Sequence, residues 1–262
     1  GSLPSALDAW DAVVERLRGV APVLFLDYDG TLTPIVARPE EAILAAASRD
    51  VVRSVAALCP VTIVSGRDRT VVEELVGLPG LGYVGSHGFD ISGPPQAAVR
   101  HEVGAEHLES LESAEAMLRD RLAGISGAAV ERKRFCIAAH YRRARDHREE
   151  VERAVREVLA ARPELVLASG KAVFELRPAT EWDKGRAIRW LLDRWPAAHG
   201  TPLHIGDDLT DETVFEMLAR DSLGVGIVVT DDDRPTAAQF SLRSPGGVLD
   251  FLGRLVRVLE SM

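Results

Sequence analysis

Residues 23–34 read VLFLDYDGTLTP: an apolar run, two aspartates spaced around a tyrosine, and a glycine that opens a turn. A short continuous apolar run bounded by turn residues predicts a strand buried on both faces. The same pattern recurs along the chain. VTIVS (61–65) precedes GRD, LGYVGS (81–86) precedes HG, PLHIG (202–206) precedes DDLTDE, and LGVGIVV (223–229) precedes TDDD. Helical patterns over 40–58, 69–77, 184–195 and 212–219 lie between them. Apolar strands alternating with helices predict the α/β class, with a parallel sheet covered on both faces. Polar clusters at successive strand carboxyl ends stand where open sheets of this kind place ligands.

The middle of the chain has another rhythm. A long helix over 105–123, strands near 129–141, a charged helix over 146–162 and strands near 164–168 and 171–177 predict a small antiparallel α+β insert. ISGPP and RPAT flank it with the Gly and Pro that suit a boundary. The expected division is a core of 1–92 with 178–262 and an insert of 93–177.

Composition narrows the function. The 262 residues are 46% hydrophobic, enough for a large buried core. No apolar run approaches the roughly 18–20 residues of a membrane span, and no basic, apolar leader opens the sequence. Cys59 and Cys136 sit in apolar surroundings without metal-ligand spacing, which predicts reduced thiols and a cytoplasmic protein. A net charge of −9 offers nucleic acid no electrostatic footprint. It leaves room for an anionic small substrate, because a few cations in a cleft override the global field. A monomer is expected. Of the 31 basic residues only Lys133, Lys171 and Lys184 are lysine. So strong an arginine bias raises the question, for each, whether a compact ammonium is required or chance placed it.

Four motifs carry chemistry. In the first, Asp27 ends a strand and Asp29 follows in the turn, so both carboxylates are aimed into one pocket. An ionised Asp27 suits nucleophilic attack on phosphorus, and a protonated Asp29 suits protonation of the leaving alcohol. An Asx turn that merely ends a strand is the plainer alternative. In IVSGRD (63–68), Ser65 suits a hydrogen bond to a phosphoryl oxygen, or simply the start of the next helix. Lys184 stands in the first turn of a helix, where a cation opposes the dipole. That local conflict favours a role in holding the nucleophile and the transferring phosphoryl group. In HIGDDLTDE (204–212), Asp207, Asp208, Asp211 and Glu212 repel one another unless a cation neutralises them. Hard oxygen donors suit Mg²⁺. An acidic helix N-terminus explains Asp211 and Glu212 better than it explains Asp207 and Asp208.

With these residues assembled, the chain resembles the haloacid dehalogenase superfamily through DYDGT (27–31), Ser65, Lys184 and GDDLTD (206–211). More narrowly it resembles the trehalose-6-phosphate phosphatase family through SGRD, GSHGFDI (85–91), ERK…HYR (131–142), GKAVFELRP (170–178), WDKG and GDDLTDE. That resemblance spans about 23–248. It implies a Rossmann-like hydrolase core with an α/β cap, and hydrolysis of trehalose 6-phosphate, the last step of trehalose biosynthesis, through an aspartyl-phosphate. By position it makes Asp27 the nucleophile and Asp29 the acid and then the base. Mg²⁺ would be bound by Asp27, the Asp29 carbonyl and Asp207, with Asp208 or Asp211 reached through water. Ser65 and Lys184 would hold the phosphoryl group. Arg67, as a candidate substrate-binding residue, and His87 stand nearby with weaker claims, each as well explained by a structural turn role.

In the insert, Glu131 and Lys133 share a strand face, as do Lys171, Val173, Glu175 and Arg177. These charges are either a solvated surface or a polar lid whose groups bond sugar hydroxyls; the resemblance favours the lid. His140 and Arg142 are placed on the opposite parity from Glu131, and His140 reads as structural. Rival readings are another sugar phosphatase with this cap, of sucrose- or mannosyl-glycerate-phosphate type, a catalytically silent sensor, and a mutase. All three groups whose loss would mark a sensor, Asp27, Asp29 and Lys184, are present, and the cap motifs speak against a mutase.

Overall fold

The structure, a computed structural model, describes residues 3–17, 19–36, 41–170, 172–195, 200–220 and 222–262. Lys171 lies outside the described residues. The chain runs α1 (Trp10–Arg16), β1 (Val23–Asp27), α2 (Ala46–Ala56), β2 (Val61–Val64), α3 (Arg69–Val76), β3 (Gly82–Gly85), β4 (Asp90–Ser92) and β5 (Arg100–Glu102). There follow α4 (Leu108–Leu122), β6 (Ala129–Lys133), β7 (Cys136–His140), α5 (Arg148–Ala161), β8 (Leu165–Gly170) and β9 (Val173–Pro178). It closes with α6 (Lys184–Asp193), β10 (Pro202–Gly206), α7 (Glu212–Arg220), β11 (Val225–Val229), β12 (Phe240–Leu242) and α8 (Pro245–Leu259). Residues 1–101 with 182–262 form one compact unit and 102–181 a second, against an insert expected at 93–177. The short strands β4 and β5 account for the later start, since they extend the sheet of the first unit.

In the first unit the strand order is β12-β11-β10-β1-β2-β3-β4-β5. From β12 to β3 neighbouring strands are parallel, and β3–β4 is antiparallel. The order reverses at β1, which lies between β2 and the distant β10, so its carboxyl end faces the crevice of a topological switch point. Strand alternation decides which way each residue of β1 points. Leu24 and Leu26 join a core with side chains of α1, α2, α3 and α8, while Val23 and Phe25 join one with α6 and α7. Asp27, next in the odd register, comes out on the side of α6 and α7. Tyr28 goes the other way: its buried hydroxyl donates to Ala42 O at 2.7 Å.

The helix expected from 40 begins only at Ala46. Ala42 and Leu44 are buried while Ile43 is exposed, the alternation of an extended segment packed on the core. No helix among the described residues is long and apolar enough to cross a membrane. Both cysteines are buried free thiols, pushed up by burial to about 12.

The second unit is a four-stranded antiparallel sheet in the order β6-β7-β9-β8. One face packs Ile137, Ala139, Phe174 and Leu176 against Leu111, Leu118, Val151 and Val155 of α4 and α5. The other is polar. It carries Glu131, Lys133, Glu175 and Arg177, with Lys133 Nζ 3.8 Å from Glu175 and Arg177 bonded to the same carboxylate. His140 also lies on it, which corrects the parity expected from the sequence. The β6–β7 hairpin turns in the two residues Arg134 and Phe135 and pairs Lys133 with Cys136, so odd residues of β6 face even residues of β7. Ala129 is therefore opposite His140, and His140 Nε2 meets Glu131 Oε2 at 2.7 Å. Arg142 lies in the turn after β7 and is exposed.

Candidate active site

The carboxyl ends of β1 and β10 and the first turn of α6 bring one ammonium and several carboxylates together. Lys184 Nζ donates to Asp27 Oδ1 at 2.9 Å and to Asp211 Oδ1 at 2.8 Å, and lies 3.9 Å from Asp208. Lys184, Asp27 and Asp211 are all buried. The dipole conflict at the start of α6 is resolved by these partners, while Asp183 caps the helix by accepting Arg186 N–H at 2.8 Å. Thr31 Oγ1 donates to the other oxygen of Asp27 at 3.3 Å. Gly30, at φ +79°, admits the neighbouring strand: a Cβ there would lie 2.1 Å from Asp207 Oδ2. The glycine of the first motif is thus what lets Asp207, just past β10, approach the turn after β1.

Asp211 is the hub of this arrangement. Its Oδ1 accepts from Lys184 and faces His204 Nε2 at 3.0 Å. Its Oδ2 accepts the backbone N–H groups of Asp207 and Asp208, each at 3.2 Å. Asp208 closes its own turn instead, with Oδ1 accepting Thr210 N–H at 2.7 Å and Thr210 Oγ1–H at 2.6 Å. Glu212 turns away. Its Oε2 accepts from Thr236 Oγ1 at 3.1 Å and Ala237 N–H at 3.0 Å, so only the aspartates of the acidic run converge. Sequence reasoning passed over His204, whose Nδ1–H donates to Phe25 O at 3.0 Å. A histidine inside the apolar run PLHIG was the available signal.

Electrostatics shows what the cluster lacks. Burial lowers Lys184, but Asp211 and Asp27 more than restore it, so the ammonium is held firmly. Burial raises Asp211, yet Lys184 and His204 bring it far below the usual carboxylate range. The surplus falls on the others. Burial raises Asp27 well above its ordinary value, opposed by Lys184 and reinforced by Asp211, Asp207 and Asp208. Asp207 is pushed up to about 6 by burial and by Asp208 and Asp211. One ammonium does not balance four carboxylates in a partly desolvated site. Carboxylate oxygens of Asp27, Asp207 and Asp211 lie within 4.8 Å of one another, a donor set that fits a hard cation.

Beside this cluster stands the turn after β2. Ser65 is buried, and its Oγ accepts Arg67 N–H at 3.1 Å. Arg67 does not point into empty space. Its Nε and Nη2 fork onto the two oxygens of Asp29 at 2.7 and 2.6 Å, so it orients the residue expected to carry the proton. Of the expected site residues, Asp27, Asp29, Ser65, Arg67, Lys184, Asp207, Asp208 and Asp211 all belong to the first unit; Glu131, Lys133 and Glu175 belong to the second.

A family model described as trehalose-phosphatase matches residues 25–246. The trehalose-phosphate phosphatase of Mycobacterium marinum is 43% identical over 267 residues, covering 99% of this chain and 67% of that protein. A probable trehalose-phosphate phosphatase of Oryza sativa subsp. japonica is 43% identical over 278 residues, covering 97% and 74%. Among solved structures, the Aspergillus fumigatus trehalose-6-phosphate phosphatase superposes with a TM-score of 0.69 at 29% identity, covering 97% of this chain and 99% of that one. The C-terminal domain of the Candida albicans trehalose-6-phosphate phosphatase shares the fold, with a TM-score of 0.76 at 24% identity and coverage of 97% and 98%. On these matches and on the site they enclose, the chain belongs to the trehalose-phosphatase family.

Proposed function

We propose that this chain hydrolyses trehalose 6-phosphate to trehalose and phosphate through a phosphoaspartate on Asp27. The observation that carries the reading is the buried Asp27–Lys184–Asp211 network at the carboxyl end of β1, in a chain of this family. A carboxylate oxygen of Asp27 attacks phosphorus as the bond to the sugar oxygen breaks, and Asp29 gives that oxygen its proton. Asp29 then takes a proton from water, whose oxygen attacks the phosphoaspartate; the Asp27–phosphorus bond breaks and phosphate leaves. Lys184 and Ser65 hold phosphoryl oxygens through both steps. Arg67, forked onto both Asp29 oxygens, fixes its orientation, and the fork opens at one oxygen when Asp29 carries the proton.

Asp27, Asp207 and the Asp29 carbonyl would hold Mg²⁺, with Asp208 supporting it; Asp211, though close enough to join them, already has both oxygens engaged by Lys184, His204 and two backbone N–H groups and orients its neighbours. When bound, the ion neutralises charge on the transferring phosphoryl group. Chelator is expected to abolish phosphate release and Mg²⁺ to restore it, while Ca²⁺, with looser and more numerous ligands, inhibits. Tm should rise on adding Mg²⁺, because the ion relieves the cost carried by Asp27 and Asp207. Full activity in excess chelator, or equal rates with Ca²⁺, would contradict the metal assignment.

Sugar recognition is assigned to the polar face of the four-stranded sheet, through Glu131, Lys133 and Glu175, with Lys171 carried over by resemblance alone. Lys133→Ala and Glu175→Ala should lower kcat/KM on trehalose 6-phosphate by about tenfold or more, since remote contacts position the reacting group. On p-nitrophenyl phosphate, which has no sugar, kcat/KM should stay within about threefold of wild type. Equal losses on both substrates, or on neither, would return those charges to a solvated face.

A further inference from the structure

Two adjacent residues without glycine's freedom, Ser86 and His87, hold left-handed backbone with φ of 51° and 56°. Such strain persists where the surroundings over-determine it. Here the surroundings are chiefly the turn after β2. Ser86 N–H donates to Arg67 O at 2.7 Å, and His87 N–H to Ser65 O at 3.1 Å. Ser86 Oγ donates to Asp68 Oδ1 at 2.9 Å. The imidazole itself stands over Gly66, where a Cβ would lie 2.4 Å from Cε1 and 2.6 Å from Nε2. On its other side the same loop meets the entry to α6, as Gly88 O accepts Trp182 Nε1–H at 2.8 Å.

We infer that His87 is a positioning residue, the wedge that holds the Ser65–Gly66–Arg67 turn in the shape phosphoryl transfer needs. This rests on the roles proposed above for Ser65 and Arg67. The turn carries the Ser65 hydroxyl and, through Arg67, the two-point grip on Asp29. A displaced ring therefore disturbs phosphoryl binding and proton transfer together. His87 acts through the turn and not on the reacting atoms, and the glycine at 66 exists to make room for its ring.

A mutant cycle on p-nitrophenyl phosphate with saturating Mg²⁺ tests this. Gly66→Ala drives a methyl into the ring, and kcat should fall about 10²-fold, the cost of a 1 Å misplacement. His87→Ala should fall about tenfold with a smaller change in KM. In the double variant the methyl occupies the space the ring leaves, so it should run about tenfold faster than Gly66→Ala alone. His87→Gly separates positioning from stability: glycine takes this backbone without strain, so Tm should match or exceed wild type while kcat stays low. A double variant no faster than Gly66→Ala overturns the inference, as does His87→Ala or His87→Gly at the wild-type rate; the last two decide if Gly66→Ala does not fold. The cycle is read in Tm as well, where Gly66→Ala should lose several degrees and adding His87→Ala should recover them. Additive Tm losses would also overturn it. A wild-type protein that releases no phosphate would instead sink the phosphatase reading, and the Tm cycle would still decide whether ring and glycine are matched.

Discussion

Asp27→Asn is expected to fold as wild type does and to lose turnover by more than about 10³-fold, beyond the ~10²–10³ lost with one stabilising donor. The amide is no nucleophile, so no phosphoaspartate forms. The sign on stability differs from the sign on rate. Burial and the neighbouring aspartates already disfavour the Asp27 charge. In metal-free protein the neutral amide loses the attraction of Lys184 but sheds that repulsion, and Tm should change little or rise. Mg²⁺ should then raise the Tm of wild type more than that of the variant, since a good ligand has been removed. The measurements are kcat and Tm with and without Mg²⁺. Activity within about tenfold of wild type, against the loss stated above, would end the covalent mechanism.

Changes at Lys184 should separate charge from shape. Lys184→Ala leaves Asp27 and Asp211 buried without their shared cation, and breaking a buried pair in this way costs about 3–5 kcal/mol. Its urea midpoint should fall sharply, and kcat with it. Lys184→Arg keeps the charge but brings a broad planar fork to a site where the ammonium is buried against Asp27 and Asp211, with Asp208 3.9 Å away. Here kcat should fall roughly 10²–10³-fold, the size of one lost transition-state donor, with a smaller loss of stability than in the alanine variant. An arginine variant running at the wild-type rate would show that no compact ammonium is required, and that the scarcity of lysine in this chain carried no information.

Much of the core site was legible because its signals are local. A strand end running into a tight turn marked Asp27 and Asp29, and alternation at the end of β1 sends Asp27 and Tyr28 to opposite sides of the sheet. Apolar runs ending in polar turns marked the strand ends, and the acidic run after PLHIG marked where the carboxylates gather. Periodicity also grouped Glu131 with Lys133, and Glu175 with Arg177, on shared faces.

What it could not carry is phase between segments. Alternation assigns residues to the faces of their own strand, but the relation between two strands is set by pairing. One two-residue turn was enough to bring His140 onto the face of Glu131. Long-range pairing likewise put β10 beside β1, giving His204 a partner in Phe25 O that no neighbouring residue in the sequence reveals. Four carboxylates in six residues look alike in a string. Three-dimensional packing made Asp211 the hub, Asp208 a turn residue and Asp207 the group near β1, and sent Glu212 elsewhere, because each role depends on which donors reach which oxygen.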